Sequence, residues 1–370
     1  ASPKMHPKDL APAHVREIAP YVPGKPVAET ARELGLREAD ILKLASNENP
    51  LGSSPKAIAA LQGALGDLAW YPDGSGHDLK LAISAKLAVR PENIVLGNGS
   101  NDVLELAARA FLTPADSAVF SQHAFMVYPL VVKAVGARGI EVPAKDYGHD
   151  LEAMAAAIRP DTKIVFLANP NNPTGTFLPW DAIRAFASRV PATALVVLDE
   201  AYGEYLPDER RSPTAGWLGD FPNLVVSRTL SKAYGLAGLR VGFGLAHPEV
   251  AELMNRVRQP FNVNHLAMVA ACAALGDDAF IAESRRVNAE GLAQLARGFA
   301  RLGLEFIPSA GNFVAVRVGD AARVYDALLR EGVIVRPVAG YGMPEHLRVT
   351  VGTAPQNERF LAALARALGR

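Results

Sequence analysis

The sequence has little cysteine, no excess of charge of either sign and no long apolar run. One cysteine, Cys272, stands among 370 residues, which excludes an intrachain disulfide and is typical of a reducing compartment. Lys plus Arg number 38, as do Asp plus Glu, so net charge favours neither a nucleic-acid nor a membrane partner. No apolar run reaches the roughly 18 residues that span a bilayer, and the first residues lack the apolar core of a secretory signal. We therefore expect a cytoplasmic protein that binds neither nucleic acid nor membranes.

Several motifs of common enzyme classes are also missing. The eight histidines are dispersed, and none has the spacing to Cys, Asp or Glu that metal sites use, so we predict no metal site. No G-x-S-x-G motif follows a predicted strand, which disfavours a Ser–His–Asp hydrolase. The glycine-rich stretch "GNGSND" fits neither the Walker A spacing nor the dinucleotide fingerprint. A nucleotide-binding site is therefore disfavoured.

Short β-branched runs alternate with helical stretches from about residue 94 onward. The predicted strands are "NIVLGNG", "SAVFSQ", "RGIEVPA", "KIVFLANP", "ALVVLDE", "NLVVSRT" and "VGFGLA". Several are apolar throughout, which indicates a sheet covered by helices on both faces. The pattern predicts an α/β fold with a doubly wound, mostly parallel sheet, in which ligands bind at the carboxyl ends of the strands.

Helical spacing and a change of pattern near residue 265 predict the domain organisation. "NDVLELAARAFL" repeats its apolar residues at helical spacing, with Asn101 and Asp102 as expected caps, and "PWDAIRAFASRV" begins on Pro179. A long alanine-rich helical region then leads to "GNFVAVRV", "GVIVRPV" and "LRVTVG", which indicates a smaller α+β domain. We predict an N-terminal arm that forms part of the small domain (1–50), a large ligand-binding domain (51–264) and a C-terminal small domain (265–370).

Two of the motifs beside the predicted strands are rich in glycine and asparagine. "LGNGSNDVLEL" is a glycine-rich turn that opens a helix, so Gly99, Ser100 and Asn101 are candidate phosphate ligands. A plain strand-to-helix turn would have the same sequence. "NPNNPTG", residues 169–175, follows an apolar strand, and its asparagines either donate to a ligand or bond within the turn.

Two further motifs place charged groups beside the apolar core. Asp199 ends the apolar strand of "VVLDEAYGEY"; it either caps a helix, pairs with a cationic side chain or holds a cationic ligand atom, with the Tyr202 hydroxyl nearby. "SRTLSKAYGLAGLRVGF" contains Lys232 and Arg240. A lysine in a confined apolar site loses its proton readily and suits Schiff-base chemistry, and arginine grips phosphate bidentately. Together, the four motifs describe a site for pyridoxal 5'-phosphate.

With these motifs the sequence resembles the fold-type-I pyridoxal-phosphate-dependent aminotransferases and, within them, the histidinol-phosphate aminotransferases. The resemblance runs through "REIAPYVPGKP", "KLASNENPLG", "YPDG", "NPNNPTG", "VLDEAY", "SRTLSKAYGLAGLRVGF", "GVIVRPV", "LRVTVGT" and "QNERFL". It implies a homodimer with shared active sites. It also implies transamination of L-histidinol phosphate with 2-oxoglutarate, giving imidazole-acetol phosphate and L-glutamate in histidine biosynthesis.

The resemblance also implies roles for individual residues. Lys232 would bind the cofactor covalently and shuttle the substrate's Cα proton, and Asp199 would pair with the ring nitrogen. Asn172 and Tyr202 would bond the ring's 3-oxygen. The phosphate group of the cofactor would be bound by Ser100, Asn101, Ser231 and Arg240, beside Gly99 and Thr229, with Tyr71 of the partner subunit. The anionic end of the substrate would be bound by Arg336 and Arg348, near Tyr21 and Asn47.

One departure from the family keeps the substrate open. The family often has a "PTYxMY" segment whose first tyrosine stacks on the cofactor, whereas this chain has "HAFMVY". Phe125 can stack but carries no hydroxyl, and it also suits an aromatic amino-acid aminotransferase acting on phenylalanine or tyrosine. A phospho-amino-acid decarboxylase is a second alternative. A non-catalytic regulator is disfavoured, because only about 50 residues precede the predicted large domain, too few for an additional DNA-binding domain.

Overall fold

The computed structural model of the protein describes residues 6–370, so the first five residues of the predicted arm lie outside it. Its strands are β1 (Leu42–Lys43), β2 (Ile94–Gly97), β3 (Ser117–Ser121), β4 (Arg138–Val142), β5 (Thr162–Ala168), β6 (Leu195–Asp199), β7 (Leu224–Thr229), β8 (Gly242–Ala246), β9 (Phe313–Arg317), β10 (Val333–Ile334), β11 (Arg336–Pro337) and β12 (His346–Thr350). Its α-helices are α1 (Ala13–Arg16), α2 (Val27–Leu34), α3 (Pro55–Ala64), α4 (His77–Leu87), α5 (Ser100–Phe111), α6 (Val127–Ala134), α7 (Leu151–Ala156), α8 (Trp180–Arg189), α9 (Pro248–Arg256), α10 (His265–Leu275), α11 (Asp278–Arg301), α12 (Ala321–Arg330) and α13 (Ala354–Ala367).

A seven-stranded sheet forms the centre of the protein, in the order β2-β8-β7-β6-β5-β3-β4. Strands β7, β6, β5, β3 and β4 pair in parallel, whereas β8 runs antiparallel to both β7 and β2. Each of the seven strands predicted from apolar runs is present in this sheet. The prediction of a doubly wound, mostly parallel α/β fold is therefore confirmed.

The central sheet is buried on both faces, and β6 shows how its sequence produces this. Val196 and Leu198 pack into the hydrophobic cluster on one face, and Leu195 and Val197 pack into the cluster on the other. Alternate side chains of a strand point to opposite faces, so a run that is apolar at every position buries both. Polar groups are thereby restricted to the strand ends, which is where Asp199 lies.

A smaller three-stranded antiparallel sheet, β11-β12-β9, belongs to a third hydrophobic cluster together with α12 and α13. The parallel pair of β1 and β10 attaches the N-terminal segment to this cluster through Leu42 and Leu44. The domain boundaries stay a prediction. However, Ala267 and Ala270 of α10 pack with the cluster of the central sheet, so we propose that the large domain extends through α10.

Two local predictions about helix starts differ from the structure. The prediction that Asn101 and Asp102 cap a helix is wrong: Gly99 is the N-cap of α5, and both residues lie in its first turn. Pro179 is the N-cap of α8 rather than its first residue. The long alanine-rich region is helical, as predicted, and forms two helices, α10 and α11, bent by 80°; the Asp277 side chain caps α11 by accepting from Phe280 N.

Within residues 6–370, no single helix is long and apolar enough to cross a membrane, although the bent pair α10 and α11 passes the same test together.

Candidate active site

A cavity of about 270 Å³ lies where the carboxyl ends of β5, β6 and β7 meet the N-terminal segment and the small sheet. Parallel strands end at the same edge, and β8 runs the other way, so Arg240 just before it reaches this edge too. The predicted site residues that line the cavity are Tyr21, Asn47, Ser100, Asn101, Phe125, Asn172, Asp199, Tyr202, Thr229, Ser231, Lys232, Arg240, Arg336 and Arg348.

Lys232 follows the end of β7 and carries the amine of the site. Its Nζ donates to the backbone carbonyl of Ser46 at 3.0 Å and lies 5.9 Å from the centre of the Tyr202 ring. Burial lowers the pKa of Lys232 to about 8, and the positive charge of Arg348 acts in the same direction. The amine is still mostly protonated near physiological pH, but its neutral fraction is far larger than that of an ordinary lysine, and the neutral form is the one that a nucleophile or a general base requires.

Asp199 ends β6 and is buried. Its Oδ2 accepts a hydrogen bond from the Tyr128 hydroxyl at 2.7 Å, and its Oδ1 accepts from the backbone N–H of Ala201 at 3.1 Å. Burial raises the pKa of Asp199 to about 6, whereas these two donors lower it. The carboxylate is thus ionised at neutral pH in a site that favours a cationic partner.

Asn172 and Tyr202 each present a donor to the cavity. The Asn172 Oδ1 accepts from Arg348 Nη1 at 2.6 Å, so its amide nitrogen is the group left to donate elsewhere. The Tyr202 oxygen accepts from Asn47 Nδ2 at 2.9 Å, which leaves its own proton to donate. Burial raises the pKa of Tyr202 to about 12. Both groups can therefore donate to an anionic oxygen.

One side of the cavity is formed by the start of α5 and by Arg240. Gly99 has a φ of +80°, and a β-carbon there would collide with the Arg240 guanidinium. Arg240 Nη1 donates to Ser231 Oγ at 3.2 Å and to the Ala237 carbonyl at 3.1 Å. Ser100 begins the 12-residue helix α5, whose N-terminal backbone N–H groups favour an anion.

Arg336 and Arg348 are directly opposite each other on β11 and β12. Like charges in such a pair are unfavourable, and an anion bound between them would relieve the repulsion. Arg348 is buried and donates to Asn172 and, at 2.7 Å, to the Ala45 carbonyl. Arg336 donates to the Val22 carbonyl at 2.9 Å and lies 5.5 Å from the centre of the Tyr21 ring.

Two predicted site residues do not line the cavity of this chain. Gly99 is packed against the Arg240 guanidinium. Tyr71 is 83% exposed and stacks on Phe261 with ring centres 4.8 Å apart. Asn47 does line the cavity, where its amide nitrogen donates to the Tyr202 hydroxyl, and its contact with the substrate stays a prediction.

Several cavity residues were missed by the sequence reasoning. They are Gly24, Ala45, Ser46, Glu48, Tyr128, Ala168, Pro170, Ala201, Ala237 and Tyr341. Tyr128 matters most, because it donates to Asp199 from 71 residues away. The only sequence signal was its place as the last residue of "HAFMVY" in the segment after a predicted strand. Tyr341 is buried, and burial raises its pKa, so it keeps its proton.

The residues at this cavity fit pyridoxal phosphate. The backbone at Gly99 and Gly242 leaves no room for side chains, since a β-carbon at Gly242 would lie 2.6 Å from Ser100 N. An amine, a buried carboxylate and two free donors face the same cavity, matching an aldehyde, a ring nitrogen and a ring oxygen. Among residues 6–370, no group of three or more His, Cys, Asp or Glu side chains could hold a metal ion.

Comparison with known proteins agrees with this geometry. Residues 39–364 match the family model described as aminotransferase class I and II. The chain is 64% identical over 358 residues to histidinol-phosphate aminotransferase 1 of Thiobacillus denitrificans, covering 97% of this chain and 93% of that protein. It is 60% identical to the histidinol-phosphate aminotransferase of Methylobacillus flagellatus, covering 97% and 98%. A crystal structure of histidinol-phosphate aminotransferase from Sinorhizobium meliloti in complex with pyridoxal-5'-phosphate superposes with a TM-score of 0.89 at 32% identity, covering 100% of this chain and 98% of that one.

Proposed function

The chain belongs to the class I and II aminotransferase family, and on that premise we propose that it is a pyridoxal-phosphate-dependent enzyme that transfers the amino group of L-histidinol phosphate to 2-oxoglutarate. The products are imidazole-acetol phosphate and L-glutamate, a step of histidine biosynthesis. The proposed location is the cytoplasm. The relatives that are named histidinol-phosphate aminotransferase support the substrate.

One observation carries the proposal: Lys232, Asp199 and the arginine pair line one cavity. An amine whose pKa is lowered to about 8 by burial faces the same space as a buried carboxylate and two opposed guanidinium groups. This combination suits transamination, in which an amino group is transferred from one molecule to another while guanidinium groups bind the anionic substrate. A purely structural cluster would leave the arginines paired with carboxylates.

When bound, the cofactor supplies an aldehyde that accepts the donor's amino group and a ring that withdraws electrons from its α-carbon. Lys232 takes the proton from that carbon at Nζ and later returns one, since its lowered pKa makes both directions accessible. Asp199 holds a positive charge at the ring nitrogen, and Tyr128 keeps its carboxylate oriented. Phe125, in the segment after β3, lines the cavity and would pack against the ring.

The remaining cofactor contacts fix its position. Arg240, with Ser231 and the first turn of α5 at Ser100 and Asn101, binds the phosphate group, and Thr229 lines the same cavity. Asn172 and Tyr202 donate to the ring oxygen. Because these residues lie at the ends of five strands of one sheet, β2, β5, β6, β7 and β8, the cofactor is held rigidly while the substrate is exchanged.

The arginine pair binds the anionic end of both substrates. The phosphate of histidinol phosphate and the carboxylate of 2-oxoglutarate both accept bidentate hydrogen bonds from guanidinium groups. Arg348 is fixed by Asn172 and by the Ala45 carbonyl, whereas Arg336 and Tyr21 lie on the exposed side. A single anion site thus serves two substrates that bind in turn.

We also propose a homodimer in which each cavity is completed by Tyr71 of the partner subunit. Tyr71 stands beside Trp70, Leu68 and Phe261, which are 79%, 64% and 45% exposed. A surface of this kind is typical of a protein interface. Light scattering should give the mass of two chains.

Purified protein should form glutamate from histidinol phosphate and 2-oxoglutarate, and Lys232→Ala should abolish this activity. The measurement is kcat/KM for histidinol phosphate against phenylalanine, since that ratio reports discrimination directly. Lys86→Ala, which removes a lysine paired with Asp278 on the surface, is the control and should keep full activity. A higher kcat/KM for phenylalanine would favour the aromatic aminotransferase, and carbon dioxide release without a keto acid would favour the decarboxylase.

A further inference from the structure

Asn47 is held by hydrogen bonds at every polar group it has. It is 1% exposed and has a φ of +58°, in the left-handed region that asparagine tolerates. Its backbone N–H donates to Thr350 Oγ1 at 2.9 Å, and its carbonyl accepts from Asn312 Nδ2 at 2.8 Å. Its side chain contacts Thr350 and the Tyr202 hydroxyl. Both the backbone and the side chain of Asn47 are therefore held in one orientation.

The direction of these hydrogen bonds follows from their donors. The Asn47 N–H can only donate, so the Thr350 oxygen accepts it and the Thr350 hydroxyl proton must go elsewhere. The acceptor in reach is Asn47 Oδ1, at 3.1 Å. With the amide reversed, this proton would have no acceptor among residues 6–370, a costly state for a group that is 3% exposed.

Fixing the amide also fixes Tyr202. Because Oδ1 faces Thr350, Asn47 Nδ2 faces the Tyr202 oxygen and donates a hydrogen bond to it at 2.9 Å. The Tyr202 hydroxyl proton is therefore directed away from Asn47. Residues 6–370 provide the Tyr202 oxygen with no other hydrogen-bond partner, and Tyr202 lines the cavity.

Strand β12 contains Thr350, the residue that orients the Asn47 amide. Thr350 and Arg348 are two positions apart, so they share a face of the strand. Arg348 orients the Asn172 amide so that its nitrogen is free to donate. Thr350 orients the Asn47 amide, which in turn leaves the Tyr202 hydroxyl free to donate. One strand of the small sheet thereby sets two donors that belong to the large sheet.

We propose that Thr350 and Asn47 are positioning residues that keep the Tyr202 hydroxyl a donor into the cavity, toward the ring oxygen of the cofactor. The inference rests on the proposed function, because it requires the cofactor's oxygen as the acceptor. Burial, which holds the Tyr202 phenol in its protonated form, agrees with it.

The test is the pH titration of visible absorption of the enzyme loaded with pyridoxal phosphate. A donor to the ring oxygen stabilises the deprotonated chromophore, so losing the donor raises the midpoint pH. Thr350→Val should raise it by about half a pH unit, in the same direction as Tyr202→Phe. Thr350→Ser retains the hydroxyl and should restore the wild-type midpoint.

A double variant separates positioning from a general effect on structure. Thr350→Val should change nothing further in the Tyr202→Phe background, because it acts through that hydroxyl. The matched control is Thr162→Val, which removes a buried hydroxyl at the opposite end of β5 and should leave the midpoint unchanged. If Thr350→Val does not fold, Asn47→Gly permits the positive φ, removes the amide and should raise the midpoint as much or more.

An unchanged midpoint in both Thr350→Val and Asn47→Gly, with a shift in Tyr202→Phe, would overturn the inference. So would a Thr350→Val shift of equal size in the Tyr202→Phe background. Wild-type protein that gains no visible absorption with pyridoxal phosphate would instead contradict the proposed function itself.

Discussion

The cavity has a floor and a mouth that are built in different ways. The floor, formed by Lys232, Asp199, Tyr202 and Arg348, is held by bonds between distant parts of the chain, such as Lys232 to Ser46 and Arg348 to Asn172. The mouth, formed by Tyr21 and Arg336, is exposed to a much greater extent: Tyr21 is 47% exposed, against 6% for Arg348. Proton transfer and cofactor binding require fixed geometry, whereas substrates must enter and leave.

The two arginines show the contrast directly, since they are cross-strand partners with one charge each. Arg348 is bonded to Asn172 and to a backbone carbonyl, so its plane is fixed before a substrate arrives. Arg336 is bonded to Val22 and Tyr21 of the N-terminal segment. We infer that Arg348 supplies orientation and that Arg336 supplies affinity.

The largest change in kcat/KM is expected when Arg348 or Arg336 is replaced by lysine, and it tests the contrast between floor and mouth. Arg348→Lys should lower kcat/KM by about 100-fold, because it loses a charge-assisted bond worth roughly 3 kcal/mol and releases Asn172. Arg336→Lys should lower it by about 10-fold, mainly through KM. Steady-state kinetics with histidinol phosphate measure both. Equal losses, or a larger loss at Arg336, would contradict the division into floor and mouth.

A smaller effect is expected from Tyr128→Phe, which alters the floor alone. The variant keeps the stacking on Phe166, whose ring centre lies 5.0 Å away, but removes the donor to Asp199. The pKa of Asp199, already raised by burial to about 6, should rise further, by up to about one unit. The acid limb of the kcat/KM profile should move to higher pH. Tyr21→Phe, the matched change in the mouth, should leave that limb in place.

The smallest effect concerns stability in protein stripped of cofactor. Burial lowers the pKa of Lys232 to about 8, so between about pH 8 and the ordinary lysine value near 10.4 the unfolded chain binds a proton that the folded protein does not. The contribution of Lys232 to the free energy of unfolding therefore rises with pH across that window. The cost of burying its charged amine is fully present below pH 8.

Melting temperatures of wild type and Lys232→Met should consequently converge as pH increases from about 8 to 10. Arginine stays protonated over this range, so the difference between wild type and Arg336→Met should be independent of pH. A constant gap for Lys232→Met would mean that its amine is not buried as described.

The sequence could predict the position of the site because Asn172, Asp199 and Lys232 each lie at or just after the end of an apolar strand. Asp199 ends β6 and Lys232 follows β7. Because the two strands pair in parallel, their carboxyl ends lie at the same edge of the sheet. The bond from Tyr128 to Asp199 and that from Thr350 to Asn47 span 71 and 303 residues. Such pairs depend on how helices and sheets pack, which local patterns do not contain.

The capping error at α5 has a physical cause of the same kind. Asn101 and Asp102 are residue types suited to capping, yet Gly99 occupies the N-cap because the turn needs a positive φ and close contact with Arg240. Asp102 instead accepts from Asn98 N at 2.8 Å and from Asn262 Nδ2 at 2.9 Å. The requirements of the site outweighed the local preference.

The most direct test of the central claim is to locate the cofactor on the chain. Protein incubated with pyridoxal phosphate is treated with borohydride, which converts a carbonyl–amine link into a stable amine, and its peptides are analysed by mass spectrometry. We predict a single modified site, Lys232, and no modification in the Lys232→Ala variant. Modification of another lysine, or of none, would contradict the assignment of this cavity as the active site.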